Sequence, residues 1–533
     1  MALRSSLLNS DLPSQLDVDI CIIGGGVAGQ TLAIQLSRYN LKTLILESGE
    51  RDFRKDVQAL AEGENIGEDY YALDSSRLRL FGGTAAIWGG RCAELDLIDF
   101  EKRDYLPHSG WPFPKSELDP YYDAAFASLG LKRPGEGRLW PVVGRDAPEF
   151  DPKKLDTDLW VFDENGERFT NLSRGGLDGA DILLGATVTD IDVTPQGEVT
   201  ALTATALDGK TVRVVARCFV VAAGAIESAR ILMAAVPNRP NGLGNDKDIL
   251  GRFFMEHPHA RGGEIIPNDL AHALTVLPRA LRVEGKRYAA YMRPAPDLQR
   301  KAGILNTSIS FAARRRAGES MEMHNRLTHG LKHSLPSSKF WRTLYKRAKG
   351  LAIKGLEKTD PKSTMLAMKL QGEKLGVFAV VRAEQAPNPD SRIVLGEATD
   401  ALGIRQAQLD WQLLDIDRRS VRVLMETLAD EYKRLGWGEV KPSKWLSDEN
   451  VTWRTDKLIS AHPIGGYHHM GGVRMGDTDQ TGVVDANCKL FESPNLYVAS
   501  SGVFPTGGWA NPTVTIMALA LRLGDHLGQK LSA

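Results

Sequence analysis

The apolar residues near the N-terminus fall into two runs, separated by glycines and by a mixed segment. Residues 18–49 read VDICIIGGGVAGQTLAIQLSRYNLKTLILESG. Apolar runs bounded by glycine and polar residues are typical of buried strands, and the segment between them has the spacing of an amphipathic helix. The pattern predicts a strand, a glycine turn, a helix and a second strand, in that order.

The rest of the chain shows three kinds of pattern. Residues 181–194 and 211–223 are alternating or continuously apolar and predict further strands, and residues 222–235 predict a turn leading into a helix. Between about 260 and 460, strand-like pieces such as LGVFAVVRAE and AQLDWQLL alternate with helices and Pro/Gly turns. Residues 490–533 return to a strand, a loop and a helix.

Length and charge narrow the class of protein. A chain of 533 residues predicts two or more domains, or one domain with a large insertion. Its 66 basic and 67 acidic residues nearly cancel, which argues against nucleic-acid binding. No apolar run has the length that spans a bilayer, and the N-terminal MALRSSLLNSDLPSQ lacks a signal-peptide pattern. We therefore expect a soluble, cytoplasmic protein.

Cysteine and histidine patterns give no metal site. None of the four cysteines forms a CxxC pair, and Cys21 and Cys218 lie in apolar runs, so we expect buried, reduced thiols. The stretch HPHARGG places His257 and His259 at a zinc-like spacing, but only Glu256 lies nearby as a further ligand. We expect no bound metal.

One interior segment, residues 332–358, is basic and has an apolar side. Such a helix either packs on its own domain with a solvated charged face, or contacts a membrane surface or a partner. The first interpretation is the more frequent one, and membrane contact through this segment stays open.

The first glycine turn has the spacing of a dinucleotide site. Gly24-x-Gly26-x-x-Gly29 follows an apolar run, and Glu47 ends the next run, where a carboxylate can accept hydrogen bonds from a ribose and repel a 2′-phosphate. The motif argues against NADP but leaves NAD and FAD open. A second glycine-rich region, 77–96, suits a further contact with a long cofactor, and the less frequent alternative is a simple turn between ordinary elements.

Four motifs together resemble the glucose–methanol–choline (GMC) oxidoreductases, FAD enzymes that oxidise alcohols. They are GGGVAG…LILES, FGGTAAIWGG, PHSGWPF and YHHMGGVRMG…NLYVASSGVFPTGGWANPTVTIMALA, and they occur in the family's order. The sequences of these motifs are most similar to those of the sugar-oxidising branch, which includes pyranose 2-oxidase and the bacterial glycoside 3-oxidases and 3-dehydrogenases. Within 260–460, only EQAPNPDSRIVL (384–395) is similar.

The resemblance implies a fold with two parts. An α/β, Rossmann-like FAD-binding domain would be built from both ends of the chain, residues 1–255 and 460–533. Residues 256–459 would form an α+β substrate-binding domain with a mostly antiparallel sheet. The active site would lie between them, at the isoalloxazine ring.

The resemblance also implies a catalytic pair. The family's catalytic histidine lies seven residues before the methionine of an MG pair, and counting back from Met475 gives His468. The partner position, just before the C-terminal P-T turn, is Asn511. His468 would take the hydroxyl proton while a hydride passes to flavin N5, and Asn511 would hold the oxygen. Neighbouring side chains of an extended segment face opposite ways, so His469 would be structural or a secondary substrate contact.

The expected cofactor is non-covalent FAD, because Ile87 stands where some relatives carry a linking histidine. The residues expected to hold it are Gly24, Gly26, Val27, Ala28, Gly29, Glu47, Ser48, Arg79, Gly82, Gly83, Thr84, Trp88, Gly89, Gly90, Val188, Ala223, Gly224, Ser501, Gly502, Pro512 and Thr513. Substrate contacts are expected from Gln385, His469 and Trp509, although Trp509 is equally a core residue and Gln385 belongs to a polar group that is equally a structural ion-pair cluster.

The function expected from this resemblance is FAD-dependent oxidation of a sugar or glycoside hydroxyl to a carbonyl. The alternatives are a GMC-fold enzyme acting on a non-sugar alcohol, a flavin-bearing lyase, and an NAD-dependent dehydrogenase that uses only the N-terminal unit. The electron acceptor, whether oxygen, a quinone or a redox protein, stays open.

Overall fold

The structure is a computed structural model that describes most of the chain. The described residues are 4–9, 12–134, 139–165, 168–171, 177–316, 362–460 and 462–532. The basic segment 332–358 lies outside them, so its two interpretations stay predictions.

A mixed, mostly parallel sheet forms the first layer of the described structure. Its strands are β1 (Arg4–Ser6), β2 (Gln15–Ile23), β3 (Thr43–Glu47), β7 (Ala180–Leu184), β8 (Thr187–Val193), β9 (Val199–Thr205), β10 (Thr211–Val221) and β19 (Leu496–Val498). The order is β1-β7-β3-β2-β10-β9-β8, with β19 paired to β10. Strand β2 lies parallel to both β3 and β10, and its residues Ile20, Cys21 and Ile22 are fully buried. Continuous apolar runs are expected in strands that are covered on both faces.

An antiparallel sheet forms the second layer. Its strands are β5 (Arg91–Cys92), β6 (Leu155–Phe162), β11 (His259–Pro267), β12 (Leu281–Val283), β13 (Lys286–Pro294), β14 (Ser308–Arg315), β15 (Leu375–Arg382) and β18 (Gly438–Pro442). The order is β18-β11-β15-β14-β13-β6-β5, with β12 paired to β13. A small third sheet joins β4 (Gly63–Asn65), β16 (Arg392–Thr399) and β17 (Arg405–Asp410).

Helices cover these sheets. They are α1 (Val27–Leu36), α2 (Lys55–Ala59), α3 (Leu73–Ser76), α4 (Leu97–Phe100), α5 (Asp119–Ser128), α6 (Ala225–Ala234), α7 (Leu270–Val276), α8 (Pro296–Ala302), α9 (Lys362–Gln371), α10 (Asp415–Leu435) and α11 (Thr513–Ser532). Helix α11 packs against α1 and α5. A Cβ atom at Gly524 would lie 2.7 Å from Gln35 Cγ, so this glycine allows α1 and α11 to approach closely. Among the described helices, none combines the length and the apolar character needed to cross a bilayer.

The predicted fold class, a Rossmann-like α/β part and an α+β part with an antiparallel sheet, is confirmed. The domain boundaries at 255 and 459 stay predictions. The sheets show that the segment before residue 255 also supplies β5 and β6 to the antiparallel sheet. The four cysteines are buried and free, as expected.

Candidate active site

The first glycine turn joins β2 to α1 and opens onto a cavity. Gly24 has φ +113°, and a Cβ atom there would lie 2.6 Å from the carbonyl oxygen of Ala222, so the turn requires glycine. A Cβ atom at Gly26 would meet no atom within 4 Å, and Gly26 lines the cavity. The first N–H groups of α1 lack carbonyl partners within the helix, which suits them to a phosphate group.

The cavity has a volume of about 570 Å³, within the usual range of cofactor and ligand sites. Most of the residues expected to hold FAD line it: Gly24, Gly26, Val27, Ala28, Glu47, Ser48, Arg79, Gly82, Gly83, Thr84, Trp88, Gly89, Gly90, Val188, Ala223, Gly224, Ser501, Pro512 and Thr513. Gly29 and Gly502 do not. A Cβ atom at Gly29 would lie 2.0 Å from the carbonyl oxygen of Gly24, so Gly29 allows the helix to pack closely on the turn. Its cofactor contact stays a prediction. A Cβ atom at Gly502 would lie close to Ser500 Oγ and to the backbone of Ala225, and the cofactor contact of Gly502 likewise stays a prediction.

Glu47 ends β3 at the wall of this cavity. Its carboxylate accepts hydrogen bonds from the backbone N–H of Gly25 and of Gly49, both over 2.7 Å. Burial raises the pKa of Glu47 and is the larger effect; the two hydrogen bonds act in the opposite direction and lower it. Nearby, Arg79 donates to Ser48 Oγ over 2.9 Å and forms a buried ion pair with Glu227 over 2.5 Å. The carboxylate is therefore held at the position where a ribose is expected.

These features fit FAD. The start of α1 and Gly26 can accept a pyrophosphate, and Glu47 can accept hydrogen bonds from a ribose. The same cavity continues to His468 and Asn511, so one long cofactor can reach both places. Ile87 also lines the cavity, and its hydrocarbon side chain has no atom that could form a covalent link.

A short backbone pairing brings two distant histidines together. Met255 and Met470 exchange backbone hydrogen bonds of 2.8 and 2.9 Å, and the N–H of His259 donates to the carbonyl of Ile464 over 2.8 Å. The antiparallel bridges of this pairing lie on either side of His257 and His468. Their rings therefore meet edge to face, with centroids 5.0 Å apart.

The hydrogen bonds of these rings fix their tautomers. His257 Nε2 lies 2.9 Å from the carbonyl oxygen of Gly508, which can only accept, so Nε2 carries the hydrogen. Neutral His257 then has a bare Nδ1, which accepts from His468 Nδ1 over 2.8 Å. Neutral His468 consequently has a bare Nε2, which accepts from Asn511 Nδ2 over 2.9 Å. The bare nitrogen of His468 thus lies beside the Asn511 amide.

Burial keeps these imidazoles neutral. It is the main cause that lowers the pKa of His468 well below the usual value, with His257 adding to the effect. Burial lowers the pKa of His257 to about 4 and that of His469 to about 3. At neutral pH, His468 is therefore in the form that can accept a proton.

His469 has a different set of partners from His468. Its Nε2 lies 3.0 Å from the hydroxyl of Tyr70, which also hydrogen-bonds the carboxylate of Glu256. Glu256 further accepts the backbone N–H groups of His257 and His468, over 2.7 and 2.9 Å. Burial raises the pKa of Glu256 to about 7, although these hydrogen bonds favour the carboxylate. His469 lines the cavity as well, so its predicted substrate contact stays a proposal.

Gln385 and Trp509 do not line the cavity, and their substrate contacts stay predictions. The Gln385 amide is fully buried; its oxygen accepts from the N–H of Glu256 over 2.9 Å and from the indole of Trp411 over 2.9 Å. Trp509 is 2% exposed and donates its indole N–H to Asp96 over 2.7 Å.

His257 is the residue of this site that the sequence analysis did not identify. In the sequence, its HPH motif indicates only a zinc-like spacing. Within the described residues, no group of three or more His, Cys, Asp or Glu side chains is arranged to hold a metal ion. The only signal was a histidine in a short stretch beside a buried strand, which gives no indication of a partner 211 positions away.

Comparisons with known families agree with the expected cofactor. A family model described as GMC oxidoreductase matches residues 387–520, which include His468 and Asn511. A model described as FAD dependent oxidoreductase matches residues 19–243, which include the glycine turn and Glu47. The two matches thus cover both the expected catalytic pair and the expected nucleotide end.

Full-length relatives have low identity. The large subunit of fructose dehydrogenase from Gluconobacter japonicus is 22% identical over 599 residues, covering 96% of this chain and 98% of that protein. Paromamine 6'-oxidase from Streptomyces fradiae is 24% identical over 559 residues, covering 95% of this chain and 90% of that protein. The solved structure of pyridoxine 4-oxidase from Mesorbium loti matches with a TM-score of 0.53 at 18% identity, covering 95% of this chain and 98% of that chain. This last similarity concerns the fold.

Proposed function

The chain belongs to the GMC oxidoreductases, FAD-dependent enzymes that oxidise CH–OH groups, and from that premise we propose that it oxidises a hydroxyl group of a sugar or glycoside to the carbonyl. The chain of hydrogen bonds from Gly508 through His257 and His468 to Asn511 carries the proposal for the chemistry, because it leaves a bare imidazole nitrogen inside the cavity. The sugar part is supported by relatives named for sugars and amino sugars.

His468 is the proposed general base. A substrate hydroxyl that approaches Nε2 donates its hydrogen bond there, and Nε2 takes the proton as the C–H bond breaks; such help contributes roughly two to four powers of ten in rate. The proton taken up makes an imidazolium whose Nδ1–H still has an acceptor in His257. FAD, when bound in this cavity, supplies the acceptor for the hydride.

Asn511 is the proposed holder of the substrate oxygen. Its Nδ2 now donates to His468 Nε2 over 2.9 Å, so both groups face the same point. A hydroxyl placed between them can donate to Nε2 and accept from the amide at once. The amide is not a base at neutral pH, so it orients the oxygen without competing for the proton.

We propose that FAD is held without a covalent bond. Ile87 lines the cavity in the first glycine-rich loop, and within the described residues 4–9 and 12–107 the sequence contains no histidine that could form a link. The pyrophosphate would rest on the start of α1 beside Gly26, and the ribose would contact Glu47.

The test is anaerobic loss of the flavin absorbance. The purified, FAD-loaded protein is mixed with D-fructose, D-glucose, methyl glycosides and simple alcohols, each with wild type and with Asn511→Ala, and turnover is measured in parallel with oxygen and with an artificial acceptor. We expect a sugar or glycoside to remove the absorbance, and Asn511→Ala to slow that step while FAD stays bound.

The other outcomes identify the alternatives. Loss of absorbance with simple alcohols alone would show that the oxidation is right and the sugar class wrong. A yellow protein that no alcohol affects, but that cleaves a substrate, would support the lyase. A colourless protein that binds NADH would contradict the cofactor assignment.

A further inference from the structure

Three arginines of the second sheet line the same cavity as His468. They are Arg91 of β5, Arg314 at the end of β14 and Arg382 at the end of β15, called here the arginine cluster. Arg382 lies close enough to His468 to help lower its pKa. The cluster therefore belongs to the end of the cavity where the substrate is expected.

The cluster has no carboxylate partner within the described part of the chain. Arg382 Nη1 donates to Ser310 Oγ over 3.0 Å, and Arg314 donates to the carbonyl oxygens of Ala313, over 2.8 Å, and of Ile459. The Nε–H of Arg91 is buried without an acceptor. These neutral contacts satisfy some N–H groups but cancel no charge.

Aromatic packing holds two of the guanidinium groups in place. The guanidinium carbons of Arg91 and Arg382 each lie 5.4 Å from the ring centroid of Trp160, and that of Arg91 also lies 5.3 Å from the ring of Phe162. Cation–π contacts orient a guanidinium and stabilise it by a small amount. The guanidinium groups of Arg91 and Arg382 are thus held beside the cavity that these residues line.

Burial and mutual repulsion both act against these charges. Burial, followed by the neighbouring arginines, lowers the pKa of Arg91 and of Arg314 to about 10, and that of Arg382 well below its usual range. Two other buried arginines do have carboxylate partners: Arg103 pairs with Glu384 over 2.6 Å, and Arg230 pairs with Asp400 over 2.6 Å. A charge that is removed from water is costly without an opposite charge beside it, and an anionic ligand in the cavity would supply that opposite charge.

We infer that the arginine cluster binds an anionic group of the substrate, a carboxylate or a phosphate, so that the carbohydrate oxidised at His468 is an acidic one. The carbohydrate part rests on the proposed function; the anion site does not. Guanidinium groups match both anions by paired N–H donors. The cofactor pyrophosphate is expected at a separate place, the start of α1, which follows strand β2 of the other sheet.

The test compares acidic and neutral hexoses as ligands. D-Glucuronate, D-glucose 6-phosphate and D-glucose are titrated anaerobically, at constant ionic strength, into the FAD-loaded protein, and Kd is taken from the shift of the unfolding midpoint. We expect at least one acid to bind more tightly than glucose. The Kd of that acid should rise about 10- to 150-fold in Arg382→Met, which keeps a long apolar side chain over Trp160, and in Arg314→Gln. This is the effect of losing a hydrogen bond to a charged group.

A stability control separates ligand binding from a structural role. Without ligand, Arg382→Met and Arg314→Gln should unfold at or above the wild-type temperature, because a repelling charge is removed; a structural arginine would lower it. Arg213→Gln is the matched control, since Arg213 forms an exposed ion pair with Asp192 over 2.5 Å and does not line the cavity. It should leave every Kd unchanged.

The outcomes distinguish the anion site from the proposed function. The inference would be overturned if neither acid binds more tightly than glucose. It would also be overturned if the variants weaken the binding of glucose and of the acids equally, because the cluster would then serve the cofactor. Tighter binding of one acid alone identifies carboxylate or phosphate as the group. If an acid binds through the cluster but no alcohol removes the flavin absorbance, the anion site stands and the oxidation is refuted.

Discussion

The hydrogen bond between the two histidine rings can be tested by replacing His257. In His257→Leu the ring of His468 loses the acceptor of its Nδ1–H, which then faces the buried hydrocarbon side chain of the leucine. The imidazole can escape this cost by moving its hydrogen to Nε2, but that tautomer has no bare nitrogen for the substrate hydroxyl. We therefore expect slower oxidation with FAD still bound.

The size of the effect follows from the cost of the unmade hydrogen bond. A buried donor without an acceptor costs about 1–3 kcal/mol. At about 1.4 kcal/mol for each factor of ten, the productive tautomer becomes rarer by about 5- to 150-fold. His257→Leu should slow the loss of flavin absorbance by that factor, which is less than the loss expected when the base itself is removed.

A conservative variant separates this effect from simple packing. In His257→Asn the side-chain oxygen can take the place of Nδ1 and accept from His468, although the bond to the carbonyl of Gly508 is lost. We expect His257→Asn to be clearly faster than His257→Leu. His469→Gln is the matched control, since its ring bonds Tyr70 and not His468.

The assay is anaerobic stopped-flow of the FAD-loaded variants with a saturating alcohol found in the substrate screen. FAD content and unfolding midpoint are measured on the same samples, so that loss of cofactor or fold is recognised. Equal rates for the Leu and Asn variants, or a Leu variant as fast as wild type, would refute the tautomer argument.

Four further predictions follow from the same site. His468→Ala should slow flavin reduction by roughly two to four powers of ten, while His469→Ala costs much less; the reverse order in stopped flow would exchange their roles. Acid precipitation should release all flavin into the supernatant, because Ile87 offers no linking atom, and a yellow washed pellet would contradict this. Glu47→Gln should raise the Kd for FAD about tenfold, measured by flavin fluorescence, since a hydrogen bond to a charged group is weakened; an unchanged Kd would remove Glu47 from the ribose site. Because the folded-state pKa of His257 is about 4 and its unfolded value about 6.5, the unfolded chain binds more protons between them and stability falls as pH falls; from pH 7.5 to 5, His257→Asn should therefore lose about 2 kcal/mol less than wild type in urea unfolding, and equal losses would contradict the buried neutral ring.

The sequence was sufficient to predict those parts of the site whose residues are neighbours in the chain. The strand, glycine turn and helix around Gly26 are one local unit, and their pattern predicts both the elements and the open approach at the turn. The pair His468 and Asn511 was found by resemblance to a family whose motifs keep fixed spacings. The structure brings the two within 2.9 Å of each other, although their catalytic roles stay a proposal.

The remaining features depend on pairings that no local pattern contains. His257 reaches His468 only because residues 255–258 pair with residues 465–470. The arginine cluster is likewise assembled from strands β5, β14 and β15, far apart in the chain. Gln385 and Trp509 lie near site residues in the sequence, but the structure buries both side chains and neither lines the cavity, so their substrate contacts stay predictions.

The glycines around the two histidines follow from the same pairing. A Cβ atom at Gly465 would lie 2.7 Å from Glu256 Cγ, and one at Gly466 would lie 2.6 Å from His468 Nδ1. Those two spaces are needed, because the Glu256 carboxylate accepts the backbone N–H of His468 while the His468 ring turns back toward His257. A larger residue at either position would displace the carboxylate or the imidazole and so move the bare Nε2 away from Asn511. The glycine-rich sequence is thus the condition for placing a buried neutral base beside its amide partner, and not only a flexible loop.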